Sequence, residues 1–250
     1  MYDEKLSFGT VLGESVGQVA RHWPFFLVVG LANIVLYSPA TYVTSHLPGT
    51  NFETTMALVY GLYVFNALLA CLVYGTIIDF ALQALHSPQP SGLEAVKLAL
   101  RRWPALIWTM IVRWFWLILG FTLLIVPGVI WGYRQMLCWV VTTVEGISGP
   151  AALRRAQALM GADPSAYSII FGQWLLSMLL TVAPSCFVTY GLLHQPAAVR
   201  TGIQWSLGVV NWLILGVFYF SMVRVYNYLR ERLDRTPEAD GVGFSPAFEL

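Results

Sequence analysis

The chain has 250 residues, of which 57% are hydrophobic and only 11% are charged, whereas a typical soluble domain is about 45–50% apolar and about 25% charged. The charged side chains are too few to form the polar surface of a water-soluble domain. The composition therefore excludes an ordinary soluble domain and predicts a chain largely surrounded by lipid. The net charge of +1 gives no electrostatic basis for binding nucleic acid.

Residues 1–23 are predicted to form an amphipathic helix at the membrane interface. Apolar side chains recur at helical spacing along one side of it: Phe8, Val11, Leu12, Val16, Val19 and Trp23. Gly9, Gly13 and Gly17 form a second stripe, which indicates either close helix packing or coincidence. The acids Asp3 and Glu4 precede the first long apolar run, which predicts a retained anchor and not a cleaved signal peptide.

The apolar runs predict an all-α membrane protein, built as a six-helix transmembrane bundle with short cytoplasmic surface helices. A spanning helix needs about 20 largely apolar residues. Within a membrane domain of residues 24–229, the predicted spans are 24–46, 55–85, 104–126, 129–144, 164–189 and 203–226. Residues 230–250 are predicted to be a polar C-terminal tail.

Pro127 and Gly128 interrupt one long apolar stretch and are predicted to break its helix. Two interpretations follow: a tight hairpin with two spanning limbs, or one kinked helix. As a single helix, residues 104–144 would be about 60 Å long at 1.5 Å per residue, twice the thickness of the hydrocarbon layer. The length therefore favours the hairpin.

Two further surface helices are predicted between the spans. Ser91 and Glu94 form a capping-box pattern that predicts a helix start. A second helix is expected after Pro150, with Gly161 as its C-terminal cap. Asp163 and the proline after it then predict the start of the fifth span, with the Asp as N-cap.

The distribution of Lys and Arg predicts that both termini are cytoplasmic, because cytoplasmic loops carry the excess of basic residues. With the N-terminus inside, the outer connections contain only one basic residue, Arg200. The inner segments contain ten: Lys5, Arg21, Lys97, Arg101, Arg102, Arg154, Arg155, Arg230, Arg232 and Arg235. This bias also supports the hairpin, since a single kinked helix would place Arg154 and Arg155 outside.

Ionisable residues within the predicted spans are the candidate site. An Asp or Arg at a helix centre costs about 2.5–3.5 kcal/mol on insertion scales, so each needs a partner or a water-filled cavity. This intramembrane polar cluster consists of Asp79, Arg113, Arg134, Glu145 and Arg224. We expect Asp79 or Glu145 to neutralise one of the arginines. Such a pair would either fix the register between helices or take part in transport or substrate binding. Alternatively, the arginines extend their side chains to the lipid headgroups and need no partner.

Signals for enzymatic chemistry are weak. The four histidines are scattered without a metal-binding spacing, and neither a nucleophile motif nor a phosphate-binding loop occurs. Cys71, Cys138 and Cys186 lie singly within apolar stretches, as small buried hydrophobes do. The sequence therefore predicts no catalytic residues, no cofactor and no metal.

The chain resembles a known family, loosely over most of its length and more closely in several short segments. The matching residues are Leu123 to Ile130, Arg134, Glu145-Gly146, Ala152 to Ala156, Leu159 to Gly161 and Val225 to Arg230. The pattern is similar to bacterial inner-membrane proteins related to YciC and to the membrane domain of glycerophosphoryl diester phosphodiesterase, although Ala156 stands where that pattern has Ser. The resemblance implies a helical membrane bundle of undefined role. It implies no phosphodiesterase activity, because that catalysis belongs to a separate soluble domain.

Together these features predict a multi-pass protein of the bacterial inner (plasma) membrane without catalytic activity. We expect a role in envelope or lipid homeostasis, or as a scaffold, with membrane lipids and another membrane protein as candidate partners. The alternative is a small transporter or channel for an amphiphile or ion that uses the intramembrane polar cluster. A water-accessible cavity lined by the cluster would favour transport, and a dry, fully paired cluster would favour a scaffold.

Overall fold

The computed structural model describes residues 6–32, 52–123, 125–186 and 197–235, and every regular element in these ranges is an α-helix. The helices are α1 Phe8–Arg21, α2 Trp23–Ala32, α3 Phe52–His86, α4 Gly92–Leu123, α5 Ile125–Arg134, α6 Cys138–Glu145, α7 Gly149–Ala162, α8 Pro164–Cys186 and α9 Ala197–Arg235. The all-α prediction is confirmed for these residues. The outer part of the first predicted span, residues 46–51 and 190–196 of the predicted outer loops, and residues 236–250 of the tail lie outside the described residues. The rest of the two loops, residues 52–54 and 197–202, belongs to helices α3 and α9.

Three helices are long and apolar enough to cross a membrane: Met56–His86, Gly92–Leu123 and Trp205–Leu233. A fourth candidate is a broken span in which Gly128–Glu145 and Gly149–Ala162 meet at a bend of 114°. The apolar stretches Trp23–Ala32 and Ser168–Pro184 are shorter. The described residues therefore contain three or four candidate spans. The prediction of six spans goes beyond this number and is taken up below as a proposal.

The core is one cluster of buried side chains to which all nine described helices contribute. Its fully buried side chains include Ile77, Leu106, Leu137 and Tyr226. By contrast, the outward face of α4 exposes large apolar side chains: Trp108, Ile111, Trp114, Phe115, Trp116, Ile118, Leu119, Phe121 and Leu123. A helix that is apolar on both its inner and outer faces is typical of a membrane span.

The amphipathic helix α1 packs against α9. Its buried residues are Val11, Ser15 and Val19, and the hydroxyl of Ser221 donates to that of Ser15 over 2.8 Å in a buried contact. The apolar stripe is only partly buried, since Val16 is exposed. A Cβ at Gly9, Gly13 or Gly17 would meet nothing within 4 Å, so this stripe makes no close helix contact among the described residues.

Several helix boundaries differ from the predicted ones, and two of these differences lie at either end of α4. The surface helix expected after Ser91 and the span expected from Pro104 form one continuous helix, α4. Pro127 and Gly128 do not separate two helices, because α4 ends at Leu123 and α5 begins at Ile125. Pro127 thus lies in the first turn of α5, where the backbone N–H groups have no intrahelical partner and a proline removes no hydrogen bond.

Helix α5 folds back along α4, so this part of the chain is a helical hairpin. A Cβ at Gly128 would lie 2.8 Å from the backbone nitrogen of Phe121, and one at Gly132 would lie 2.7 Å from a methyl carbon of Leu117. Glycine at both positions therefore allows the two helices to approach closely.

The bend between α6 and α7 depends on two glycines with positive φ, Gly146 at 72° and Gly149 at 61°. The N–H of Gly149 donates to the Thr109 hydroxyl over 2.9 Å, which fixes the start of α7 on α4. A Cβ on Gly149 would overlap the indole ring of Trp108. Both the backbone angle and the lack of space therefore require glycine here.

Candidate functional site

Asp79 pairs with Arg102, not with any of the three arginines proposed from sequence. Asp79 lies on α3 and is only 3% exposed. The guanidinium of Arg102, on α4, donates to its Oδ1 over 2.7 Å, while Oδ2 has no hydrogen-bond partner among the described residues. This ion pair joins α3 to α4. The sequence placed Arg102 in a surface helix and therefore missed it.

Glu145 is held by Arg155 and Tyr226. The Nε of Arg155 donates to both carboxylate oxygens, over 3.1 and 3.2 Å. The hydroxyl of Tyr226 donates to Oε1 over 2.8 Å. These contacts join α6, α7 and α9 at one point, so Glu145 ties the surface helix α7 to the bundle.

Arg224 pairs with Glu14 of the amphipathic helix α1. The contact lies one helical turn from the buried Ser15–Ser221 hydrogen bond, so α1 is attached to α9 by an ion pair beside a hydrogen bond. About a third of the Arg224 side chain and two fifths of the Glu14 side chain are exposed. A pair this exposed contributes little to stability, on the order of 0–1 kcal/mol.

Asp163 forms a further junction, at the joint between α7 and α8. Its Oδ1 accepts from the N–H of Ser165 over 2.8 Å, as an N-cap does. Its Oδ2 accepts from Tyr228 over 3.1 Å and pairs with Arg232 of α9. Burial opposes ionisation, but the hydrogen bonds and the Arg232 charge outweigh it and lower the pKa of Asp163. The sequence predicted the cap but not the ion pair.

Arg113 and Arg134 belong to none of these ion pairs. Arg113 is half-buried in α4, its Nε has no hydrogen-bond partner among the described residues, and it acts electrostatically on Cys138 and Tyr219. Arg134 is exposed at the end of α5. The five residues of the intramembrane polar cluster are therefore not gathered at one site: three have separate partners, and two stand apart from them.

The chain is also broken between α5 and α6, where the sequence contains neither Pro nor Gly. Residues 135–137 form tight turns, in which Met136 N–H donates to the Tyr133 carbonyl and Cys138 N–H to that of Gln135, both over 3.0 Å. The break lies opposite the part of α4 between Thr109 and Leu117, because Thr142 bonds to Thr109 after the break and Gly132 approaches Leu117 before it. Broken helices within a membrane are tolerated where protein or a water-filled cavity surrounds them, and they often adjoin binding sites.

An open cavity of about 410 Å³ lies beside this break. It is lined by Trp116, Gln135, Pro150, Leu153, Arg154 and Gln157. No residue of the intramembrane polar cluster lines it. Among the described residues, no group of three or more His, Cys, Asp or Glu side chains is placed to hold a metal ion.

Comparison of the chain with protein-family models, with curated proteins and with solved structures found no match.

Proposed function

We propose that the protein is a non-catalytic integral protein of the bacterial inner membrane, with a structural role in envelope or lipid homeostasis. One observation carries the proposal: the acids Asp79, Glu145, Glu14 and Asp163 are each paired with an arginine of another helix. Charges used for transport are expected to line a shared aqueous path. Here they hold helices together instead, as a scaffold requires.

The proposed topology has six spans and cytoplasmic termini. The residues of these ion pairs lie at the C-terminal part of α3, the N-terminal part of α4, the end of α6 and the C-terminal part of α9. All of these belong to the side that the excess of Lys and Arg marks as cytoplasmic. The pairs thus support an arrangement in which surface helices α1 and α7 are attached to the inner side of the bundle. The resemblance to the YciC-related family is compatible with this topology.

Reconstitution into liposomes tests the structural role against transport. Vesicles with and without protein are assayed for proton leak with an enclosed pH-sensitive dye. Movement of fluorescent phospholipid between leaflets is followed by quenching with dithionite. We expect both rates to match those of protein-free vesicles, and rates at least tenfold higher would contradict the proposal.

A small transporter or channel for an amphiphile is the second candidate, and the helix break favours it. Arg113 and Gln135 are both near the break, and each has a buried polar atom without a hydrogen-bond partner among the described residues. A substrate passing along α4 would meet these groups. If flux is detected, this candidate predicts that Arg113→Gln reduces it at least tenfold while Arg101→Gln, at an exposed position on the same helix, does not.

A further inference from the structure

The cavity beside the helix break has a polar end and an apolar wall. Arg154 and Gln157 come from α7 and Gln135 from the break, while Trp116 and Leu153 supply apolar surface. Its volume is about 410 Å³. This is within the usual size range of small-ligand sites.

Of the polar lining side chains, Arg154 is available to a ligand and Gln135 is buried. Arg154 is exposed and takes part in none of the ion pairs or side-chain hydrogen bonds of the described residues, whereas its neighbour Arg155 is held by Glu145. Gln135 is only 3% exposed, and its Oε1 accepts no hydrogen bond from the described residues. The guanidinium of Arg154 is therefore the group through which this cavity would bind an anionic ligand.

The cavity extends from the level of the surface helix into the apolar layer. Helix α7 starts beside Thr109, and Trp116 lies seven residues further along α4, about 10 Å at 1.5 Å per residue. Arg154 would thus lie near the headgroup level, with Trp116 at the level of the upper acyl chains. The neighbouring surface of α4, including Phe115 and Leu119, is exposed and apolar.

We propose that this cavity binds one anionic glycerophospholipid of the phosphatidylglycerol type. Its phosphate would pair with Arg154, since basic cavities among helices on the cytoplasmic side suit phosphate headgroups. An acyl chain would lie along Trp116. A zwitterionic lipid such as phosphatidylcholine carries no net negative charge, so Arg154 would attract it less strongly. The proposal rests on the membrane placement and lipid role proposed above.

Native mass spectrometry of the detergent-purified full-length protein tests the site. The protein is titrated separately with phosphatidylglycerol, phosphatidylcholine and glycerol 1-phosphate, the last as a soluble headgroup. We expect a saturable 1:1 adduct with phosphatidylglycerol, at least fivefold weaker binding of phosphatidylcholine, and no adduct with glycerol 1-phosphate. Arg154→Ala should weaken the phosphatidylglycerol adduct about tenfold, the loss expected for one charge-assisted contact.

Controls separate this site from general attraction of lipid to basic residues. Arg101→Ala removes an exposed arginine outside the cavity and should change binding less than twofold, while Arg154→Lys should retain most of it. Equal losses in the two alanine variants, or an unchanged adduct in Arg154→Ala, would overturn the proposal. Equally strong binding of glycerol 1-phosphate would overturn the choice of a lipid. If the liposome assays detect proton or lipid flux while the Arg154-dependent lipid adduct is retained, the proposed structural role is contradicted and the proposed lipid site is not.

Discussion

Removing either member of the Asp79–Arg102 pair should destabilise the bundle, and removing Arg102 should cost more. The two side chains differ in access to water: that of Asp79 is 4% exposed and that of Arg102 is 32% exposed. Without Arg102, a buried carboxylate remains unpaired, and breaking a buried pair typically costs about 3–5 kcal/mol. Without Asp79, the arginine can turn its guanidinium towards water or headgroups.

We therefore expect Arg102→Ala to lower the free energy of unfolding by about 3 kcal/mol, the lower end of that range because the pair is not fully buried. We expect Asp79→Asn to lower it by about 1 kcal/mol, the usual net value of one hydrogen bond. A difference of about 2 kcal/mol corresponds to roughly a 30-fold change in the folded-to-unfolded ratio. Unfolding in mixed micelles with increasing dodecyl sulfate, followed by the fluorescence of the 10 tryptophans, measures both values.

The double variant Asp79→Leu with Arg102→Leu provides the matched control, since it removes both charges. It should be less destabilised than Arg102→Ala, because no unpaired charge remains. The reasoning is refuted if Asp79→Asn proves as damaging as Arg102→Ala, or if Arg102→Ala unfolds at the wild-type dodecyl sulfate concentration.

Three further predictions concern the joints of α7 and α1. Gly149→Ala should lower the free energy of unfolding by at least about 1–2 kcal/mol, because the backbone of Gly149 is left-handed and a Cβ has no space there. Gly161→Ala, within a helix and facing open space, should raise it by about 0.8–1 kcal/mol. Denaturant titration of both variants checks the contrast. Because the pKa of Asp163 is lowered in the fold, its ionised form contributes stability above about pH 4 that is lost as the pH falls through the lowered value. Unfolding measured from pH 2.5 to 6 should therefore show a smaller acid loss in Asp163→Asn than in the wild type. Ser15→Ala and Ser221→Ala should each cost about 1 kcal/mol, and the double variant about as much as one of them, as a double-mutant cycle would show.

Local features of this fold follow from local signals. Ser7 accepts from the N–H of Thr10 at the start of α1, and Asp163 accepts from that of Ser165 at the start of α8. Ser91 likewise accepts from the N–H of Glu94 over 3.4 Å. These caps depend on side chains two or three positions from the backbone group they satisfy, so the sequence alone indicates them.

The pairing of charges was not predictable in the same way. Asp79 and Arg102 are 23 positions apart, and their contact depends on the register between α3 and α4. The sequence directed attention to Arg113, Arg134 and Arg224 because they lie within predicted spans. The long side chain of Arg102 instead reaches Asp79 from the N-terminal part of α4, which the predicted position of its backbone does not reveal.

The break at residues 135–137 was also not predicted from the sequence. Pro127 and Gly128 carry the usual helix-breaking signal, yet they lie within α5. The break at residues 135–137, unlike the reversal between α4 and α5 just before Pro127, contains neither residue type, and Leu137 there is fully buried. Tertiary packing against α4 therefore overrides a good helical propensity at this position.

Side-specific labelling tests the central claim, that the arginine-bearing ends of the helices lie on one face of a membrane. In a protein whose three cysteines are replaced by alanine, single variants Arg101→Cys, Arg154→Cys and Arg230→Cys are treated with an impermeant maleimide in sealed vesicles of both orientations. All three positions are exposed. The account predicts that all three react only in inverted vesicles. Labelling of Arg101→Cys and Arg154→Cys from opposite sides would contradict it.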